Sequence, residues 1–124
     1  MTHPPTSIPA AIDLQAKLGT FAEHYAPRTI AECNGQDVMV VKLLGPFAWH
    51  VHEDADDFFL CLRGALRIET EHGNVTLKPG QLYVVPRGVR HRPVADAECH
   101  ALLIEPTGTP NTGDAATAAP RRRA

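Results

Sequence analysis

The sequence predicts an all-β fold, a barrel or sandwich of short strands preceded by one short helix. Its length of 124 residues is that of one domain. About nine short apolar runs are separated by turn residues at intervals of about 8–12 residues, which is typical of such a fold. The 11 prolines also disfavour long helices.

The composition argues against several classes of protein. The net charge is −2, with 12 basic and 14 acidic side chains, so we expect neither nucleic acid nor anionic lipid as a partner. No run approaches the ~18 apolar residues that a membrane-spanning helix requires. Three cysteines without a C-x-x-C pair argue against a disulfide framework or a zinc finger and favour a reducing cytoplasm. They are Cys33, Cys61 and Cys99.

The first element is a short helix. Residues 1–11 are rich in Pro, Thr and Ser, and we expect a flexible leader there. Apolar residues then recur near helical spacing and Asp13 is a suitable N-cap, which predicts a helix over 13–24. Pro27 prevents its continuation. A single domain is predicted over 12–114.

From Thr29 onward the apolar pattern predicts strands. The first two, 29–33 and 38–44, flank Asn34-Gly35, a strong hairpin signal because both residues tolerate positive φ. After residue 106 the low apolar content predicts a disordered tail over 115–124. The remaining strands are predicted over 47–52, 58–62, 66–70, 75–77, 82–85, 90–94 and 99–105.

His50 and His52 are separated by one residue on a predicted strand. Because strand side chains alternate between faces, both imidazoles point the same way and Trp49 and Val51 point the other way. Two imidazoles on one face form half of a metal site. Two solvent-exposed histidines are the alternative interpretation, and the residues around the pair decide between them.

Two longer patterns surround the histidine pair. Residues 45–64 read G-x4-H-x-H-x4-D-x6-G, and residues 80–91 read G-x5-P-x-G-x2-H. In this order and spacing they resemble the two motifs of the cupins, with the resemblance extending over roughly 27–106. Segments 49–64 and 84–95 and the ending 104–114 look like small single-domain bacterial cupins, mostly of unassigned function.

The resemblance implies a fold, a metal and a ligand. The fold would be a cupin-type short jelly-roll barrel, in which inward-facing side chains of neighbouring strands meet near one end. One divalent transition metal, Fe, Mn, Ni or Zn, would be held by His50, His52, Asp57 and His91. Two coordination positions would remain for water or for a small-molecule ligand.

The sequence departs from the family motifs at three positions. Asp57 stands where the family has the longer Glu, so its carboxylate either reaches the metal after a backbone shift or binds weakly or through water. The first glycine lies one residue closer to His50. Ala95 replaces an Asn, which removes a loop-fixing hydrogen bond but no ligand. A metal-free relic that retains the three histidines is the alternative.

The alternation of strand side chains also predicts the residues around the metal. These residues are mostly apolar, and a mostly apolar lining around a metal suits a small, partly apolar molecule. Cys61 is interpreted as a buried apolar residue, with a redox-sensitive thiol as the alternative. Arg87, Arg90 and Arg92 either attract an anion or pair with the acidic loop 53–57. The predicted lining residues are Phe47, Phe59, Cys61, Tyr83 and Val85, with Leu82 and Val84 as the alternative to the last two.

Two classes of function follow. An enzyme would use the open metal positions as a Lewis acid or for O2, in oxygenase chemistry, oxidative C–C cleavage or isomerisation of a small molecule. No separate general base is identified, so its catalytic residues stay unassigned. The alternative is a barrel that binds a small ligand or a metal without turnover. We expect a homodimer, because Phe58, Leu60 and Leu62 point away from the metal if Asp57 points toward it, and they then leave an apolar face.

Overall fold

The computed structural model describes residues 7–124, so the start of the predicted leader 1–11 lies outside the described residues. The predicted all-β fold with one short helix is confirmed. None of the helices in this part of the chain has the length and apolar character to cross a membrane. The elements are α1 (Leu14–Leu18), β1 (Arg28–Cys33), β2 (Gln36–Pro46), β3 (Asp57–Arg63), β4 (Leu66–Thr70), β5 (Gly73–Leu77), β6 (Leu82–Val85), β7 (His91–Pro106) and β8 (Arg122–Arg123).

The helix α1 is shorter than the 13–24 predicted. Asp13 caps it as expected, and its side chain accepts hydrogen bonds from two backbone N–H groups of the first turn. Gly19 ends it after five residues, because glycine is a poor helix former. Leu18 and Phe21 pack against β2. The apolar spacing beyond Gly19 therefore reflects packing, not further helix.

The hairpin between β1 and β2 is confirmed. Asn34 and Gly35 have φ of +52° and +75°, which is the left-handed pair that a two-residue turn of this kind requires. Cys33 pairs with Gln36 across the turn. The hairpin fixes the register of β2, which then runs along β7.

The strands form one sheet in the order β5-β4-β7-β2-β1-β8, and β3 pairs with both β7 and β6. Strand β7 is its centre. It pairs with β2 along one edge, and β4 and then β3 occupy the other edge. The sheet is not closed, and its arrangement is that of a jelly roll.

The strands predicted over 90–94 and 99–105 are one strand, β7. Its register against β2 shifts where Leu43 pairs with Cys99 but Gly45 pairs with Ala95. The extra residues of β7 at this point, 96–98, are exposed. They bulge out of the ladder and the strand continues on either side of them.

The prediction of a strand over 47–52 is wrong. The segment has no regular ladder, and His50 alone forms an isolated bridge, with His91. Gly45 adopts φ +75°, and Pro46 lacks the N–H that an interior ladder position needs. Strand β2 ends there, and the segment continues as extended chain.

Alternation along β3 places its residues as predicted. Asp57, Phe59 and Cys61 are buried, whereas Phe58, Leu60 and Leu62 between them are partly exposed. The inward side chains meet those of the other strands in one apolar core. Its members include Met39, Val41, Leu43, Phe59, Leu66 and Ile68.

The segment 115–124, for which composition predicts disorder, is placed against the sheet. Strand β8 pairs in parallel with β1. Arg121 approaches the carboxylates of Asp37 and Glu105 at 3.5 and 3.6 Å, and both acidic residues are only 3% exposed. Composition does not register ion pairs of this kind. The division into leader, domain and disordered tail stays a prediction.

Candidate metal centre

The four side chains predicted as metal ligands converge in the structure. The candidate ligand atoms of His50, His52, Asp57 and His91 all lie within 4.8 Å of one another. Each of these residues is at most 7% exposed. Three imidazoles and one carboxylate are thus gathered in a buried space of the size that one ion occupies.

Backbone hydrogen bonds hold the two histidine motifs together. The N–H of His50 donates to the carbonyl of His91 at 3.0 Å, and the N–H of His91 donates to the carbonyl of His50 at 2.9 Å. The N–H of Gly88 donates to the carbonyl of His52 at 2.8 Å. Gly88 has φ +82°, a conformation that favours glycine. The glycine of the second motif therefore secures the segment that carries the first.

Two of the imidazoles are oriented by backbone carbonyls. Nδ1 of His50 lies 2.9 Å from the carbonyl oxygen of Ala48, and Nδ1 of His91 lies 2.8 Å from that of Val89. A carbonyl oxygen only accepts, so each Nδ1 carries the proton and directs Nε2 toward the cluster. Histidine ligands of metals are commonly fixed in this way.

The three Nε2 atoms surround one oxygen of Asp57. Oδ2 lies 2.7 Å from Nε2 of His91, 3.4 Å from that of His52 and 3.8 Å from that of His50. Burial opposes ionisation of Asp57, but the three histidines around its carboxylate hold the pKa of Asp57 well below the usual value. Burial also disfavours the charged form of His52, yet Asp57 raises the pKa of this imidazole above its usual value. The cluster therefore favours the ionised form of Asp57.

Two atoms of this cluster lack hydrogen-bond partners. Nε2 of His52 and Oδ1 of Asp57 are buried and unpaired. An unpaired buried polar group costs about 1–3 kcal/mol, which a coordinated cation would relieve. Three imidazole nitrogens and one carboxylate oxygen suit Fe, Mn, Ni or Zn. The residues present therefore fit a divalent transition metal.

A cavity of about 30 Å3 adjoins the cluster. Its polar wall includes His50 and Asp57, and the ring of Phe47 meets that of His50 edge-on at 5.4 Å. The rest is mostly apolar, so water has few partners within it. The principal apolar lining residues are Tyr25, Val41, Leu43, Phe47, Phe59 and Leu103.

The structure places the five predicted lining residues in two groups. Phe47 and Phe59 line the cavity. Cys61 and Val85 lie in the buried core, and Tyr83 packs against it, outside the cavity lining. Leu82 and Val84 are 56% and 40% exposed, so the alternative that turned these two residues inward is wrong.

The buried position of Cys61 favours an apolar role for it. Cys61 and Cys99 are both fully buried, with Sγ atoms 4.0 Å apart. Burial, reinforced by the neighbouring Cys61, raises the pKa of Cys99 to about 12. A thiolate, the reactive form of cysteine, is strongly disfavoured there.

The arginines near His91 have partners other than a ligand. Arg87 donates to Asp56 from its backbone N–H at 3.0 Å and from Nε at 3.4 Å, which is the predicted pairing with the acidic loop. Arg90 and Arg92 stack over the ring of Trp49. The interpretation of these residues as an anion-attracting rim therefore has no support in their contacts.

Several residues of the cavity wall have no counterpart in the sequence predictions, among them the polar Tyr25, Glu105 and Asn111. The burial of Glu105 was predictable from the sequence, because alternation along β7 buries Ala101, Leu103 and then Glu105. Burial, together with the charge of Asp57, raises the pKa of Glu105 to about 8. Tyr25 and Asn111 lie outside regular strands, where alternation predicts nothing.

Comparison with known proteins places the fold in a family. Residues 38–105, more than half of the chain, match the family model for the cupin domain. A cupin-2 domain containing protein from Shewanella frigidimarina NCIMB 400 is 42% identical in its crystal structure, with a TM-score of 0.75, over 77% of this chain and 93% of that one.

Two further relatives differ in how much of their length is matched. The uncharacterized protein YdbB of Bacillus subtilis is 32% identical over 84 residues, 67% of this chain and 74% of the relative. A stretch of 56 residues is 36% identical to homogentisate 1,2-dioxygenase of Rhodopseudomonas palustris, which is 44% of this chain but only 12% of that enzyme. On the family match and the jelly-roll fold together, the chain belongs to the cupin domain family.

Proposed function

We propose that the protein binds one divalent transition metal through His50, His52, Asp57 and His91 and acts on a small, largely apolar molecule in the adjoining cavity. The strongest support for this proposal is that candidate metal ligands and apolar side chains line the same cavity. Two of the buried donors, His50 and Asp57, line a cavity whose remaining wall is mostly apolar. Such a cavity holds an organic molecule beside polar groups that fix its orientation.

The reaction we propose is oxygen-dependent oxidation of a small enolisable compound, including oxidative C–C cleavage. A bound metal would supply Lewis-acid polarisation and a site for O2. The partial similarity to a dioxygenase supports this choice, although it covers only 12% of that enzyme. Phe47 and Phe59 would shield the reacting molecule from water, because their rings form the apolar wall next to the histidines.

Oxygen uptake tests this proposal. Protein loaded with Fe(II) is mixed with small diketones, phenols and keto acids, and dissolved O2 is recorded. We expect uptake with at least one of these classes and none with a His52→Ala variant treated alike. Absence of uptake across all classes, together with ligand-induced thermal shifts, would instead identify a barrel that binds without turnover.

We also propose a homodimer that uses the outer face of β3 and β6. Phe58 pairs with Val84 and Leu60 pairs with Leu82 across these strands. Leu82 and Val84, on β6, are 56% and 40% exposed. Within the described sheet, β6 pairs only with β3, so its other edge is free. Contiguous exposed apolar side chains at an edge strand commonly mark an interface. A second copy would cover the same face by two-fold symmetry.

The cysteines support a reducing location, and we propose the cytoplasm. Cys33, Cys61 and Cys99 are all free in the described part of the chain. Cys33 is exposed, and an exposed thiol persists best where reductants keep it reduced.

A further inference from the structure

The chain returns toward the candidate metal centre after β7. Residues 107–124, here called the C-terminal strap, contribute Asn111 to the cavity wall. The side-chain Oδ1 of Asn111 accepts the N–H of Ala119 at 2.9 Å, which folds the strap back on itself. Nζ of Lys17 donates to the carbonyl of Ala124 at 3.0 Å. Contacts therefore hold the strap both at the cavity and at its end.

Arg121 anchors the strap through charge. Its guanidinium lies 3.5 Å from Asp37 and 3.6 Å from Glu105 and donates to the carbonyl of Thr109. Both carboxylates are buried, and Glu105 also lines the cavity. A buried carboxylate such as that of Asp37 is costly without a cationic partner, so the strap is favoured in this position.

Gly113 brings the strap against the histidine segment itself. It has φ +76°, and a Cβ built there would overlap the carbonyl oxygen of Val51. Val51 lies between His50 and His52. Only glycine permits this approach, because any other side chain would push the strap away from the segment that carries two candidate ligands.

The small volume of the cavity limits the size of the molecule that fits beside the candidate metal centre. A space of about 30 Å3 is room for about two water molecules, since each needs at least about 10–15 Å3. An organic molecule of more than a few atoms therefore fits only if part of the wall moves. Tyr25, Phe47 and Phe59 belong to packed aromatic clusters or the core, whereas Asn111 belongs to the strap.

We propose that the C-terminal strap is the wall that limits ligand size and access at the metal centre, and that Gly113 and Arg121 hold it there. The inference rests on the proposed function for the identity of the site, but the position of the strap is testable without metal. Gly113 and Arg121 act as specificity-determining residues because they position Asn111 and the rest of the strap over the cavity.

The first experiment measures access to His50 in the metal-free protein. Diethylpyrocarbonate modifies accessible imidazoles, and peptide mass spectrometry gives the rate at each histidine. We expect Gly113→Ala and Arg121→Ala to speed modification of His50 by about tenfold or more, a change equivalent to about 1.4 kcal/mol. Gly108→Ala is the matched control, because Gly108 also has positive φ but its Cβ would meet open space.

Two other histidines report on the integrity of the fold. His72 is exposed, so its rate should be the same in all variants, and His100 is 6% exposed and should stay protected. Faster modification of His50 with His100 still protected supports the proposal. Equal His50 rates in Gly113→Ala, Gly108→Ala and the parent protein would overturn it, as would acceleration at His50 and His100 together in Gly113→Ala.

The second experiment uses ligand size. Protein loaded with Co(II) is titrated with azide and with 4-phenylimidazole, and the visible spectrum reports binding. We expect Gly113→Ala to bind 4-phenylimidazole about tenfold or more tightly than Gly108→Ala does, with azide affinity unchanged. Equal affinities of the two variants for both probes would overturn the size limit. Failure to bind Co(II) would contradict the proposed function instead, and the modification rates would still decide the position of the strap.

Discussion

Oδ2 of Asp57 lies 2.7 Å from Nε2 of His91, a residue 34 positions later in the chain. The aspartate, one methylene shorter than the glutamate of the family motif, thus reaches the centre of the histidine cluster. Asp57 is the first residue of β3 and His91 the first of β7. The two residues meet where two strands begin, within hydrogen-bond distance of each other.

Asp57→Asn should weaken metal binding by about tenfold or more, because it keeps the size of the side chain but removes the anion that faces three imidazoles. Calorimetric titration with Zn(II) or Ni(II) measures the affinity. Asp56→Asn is the control, since Asp56 is exposed and pairs with Arg87. Undiminished metal affinity in Asp57→Asn would show that the three histidines bind the metal without Asp57.

The wild-type protein should contain one divalent metal per chain after metal-replete growth, and His52→Ala should contain almost none. Loss of one imidazole leaves an incomplete donor set. Elemental analysis of protein purified without chelators or an affinity tag gives the stoichiometry. His72→Ala, which alters an exposed histidine, should retain the full amount. A wild-type stoichiometry near zero would rule out the metal site.

Stability of the metal-free protein should fall as pH rises from about 5 to about 8. The pKa of Glu105 is raised from 4.5 to about 8, so the folded protein keeps a proton that the unfolded chain releases. The raised pKa of His52 acts in the same direction. The stabilisation that its protonated imidazole provides is complete below pH ~6.5, and it is lost as the pH rises through the higher pKa of His52 in the folded protein. The lowered pKa of Asp57 matters only at lower pH, where its stabilisation is lost as the carboxylate gains a proton.

Thermal unfolding at a series of pH values checks this expectation. Glu105→Gln should flatten the decline, because the neutral amide does not titrate. Glu53→Gln changes an exposed acidic residue in the loop before β3 and should leave the decline unchanged. A melting temperature that rises between pH 5 and 8 in metal-free protein would contradict the assigned sign.

Leu82→Lys should convert the proposed dimer to a monomer, because a charge would be buried at the centre of an apolar interface. Light scattering at micromolar concentration should give twice the chain mass of 13.5 kDa for wild type and the chain mass for the variant. Leu44→Lys is the control, since Leu44 is similarly exposed but lies on β2, which pairs with neither β3 nor β6. A wild-type mass of one chain would exclude the dimer.

One thiol per chain should react rapidly with Ellman's reagent in the native protein. Cys33 is exposed, whereas Cys61 and Cys99 are fully buried, so the reagent reaches only Cys33 in the folded protein. Cys33→Ser should abolish the rapid reaction, and all the remaining thiols should react after unfolding. Rapid reaction in native Cys33→Ser would show that the core opens.

The sequence predicted the elements whose side chains alternate and whose turns carry their own chemistry. The hairpin at Asn34-Gly35 and strand 82–85 follow from local patterns, whereas the inward direction of Asp57 follows from the motif in which it stands. His50 and His52 share a face as predicted although their segment is not a regular strand, because an extended chain alternates without a ladder.

The remaining features depend on contacts between distant residues. Strand β7 continues through an exposed bulge that looks like a turn in the sequence, since pairing with β2 on both sides holds it together. Arg121 lies near Asp37 because of the fold, and composition carries no trace of that proximity. The alanine- and arginine-rich composition of the tail therefore gives no indication of an anchor.

The reciprocal hydrogen bonds between His50 and His91 tie the formation of the site to the completion of the fold. The donors come from distant parts of the chain and meet only when the segment 47–52 docks onto β7. An ion that binds them draws the folding equilibrium toward the native state, by ~2.7 kcal/mol at a free concentration 100 times its dissociation constant. A cell starved of that ion would retain less of the protein, and its abundance would then follow metal supply without any transcriptional control.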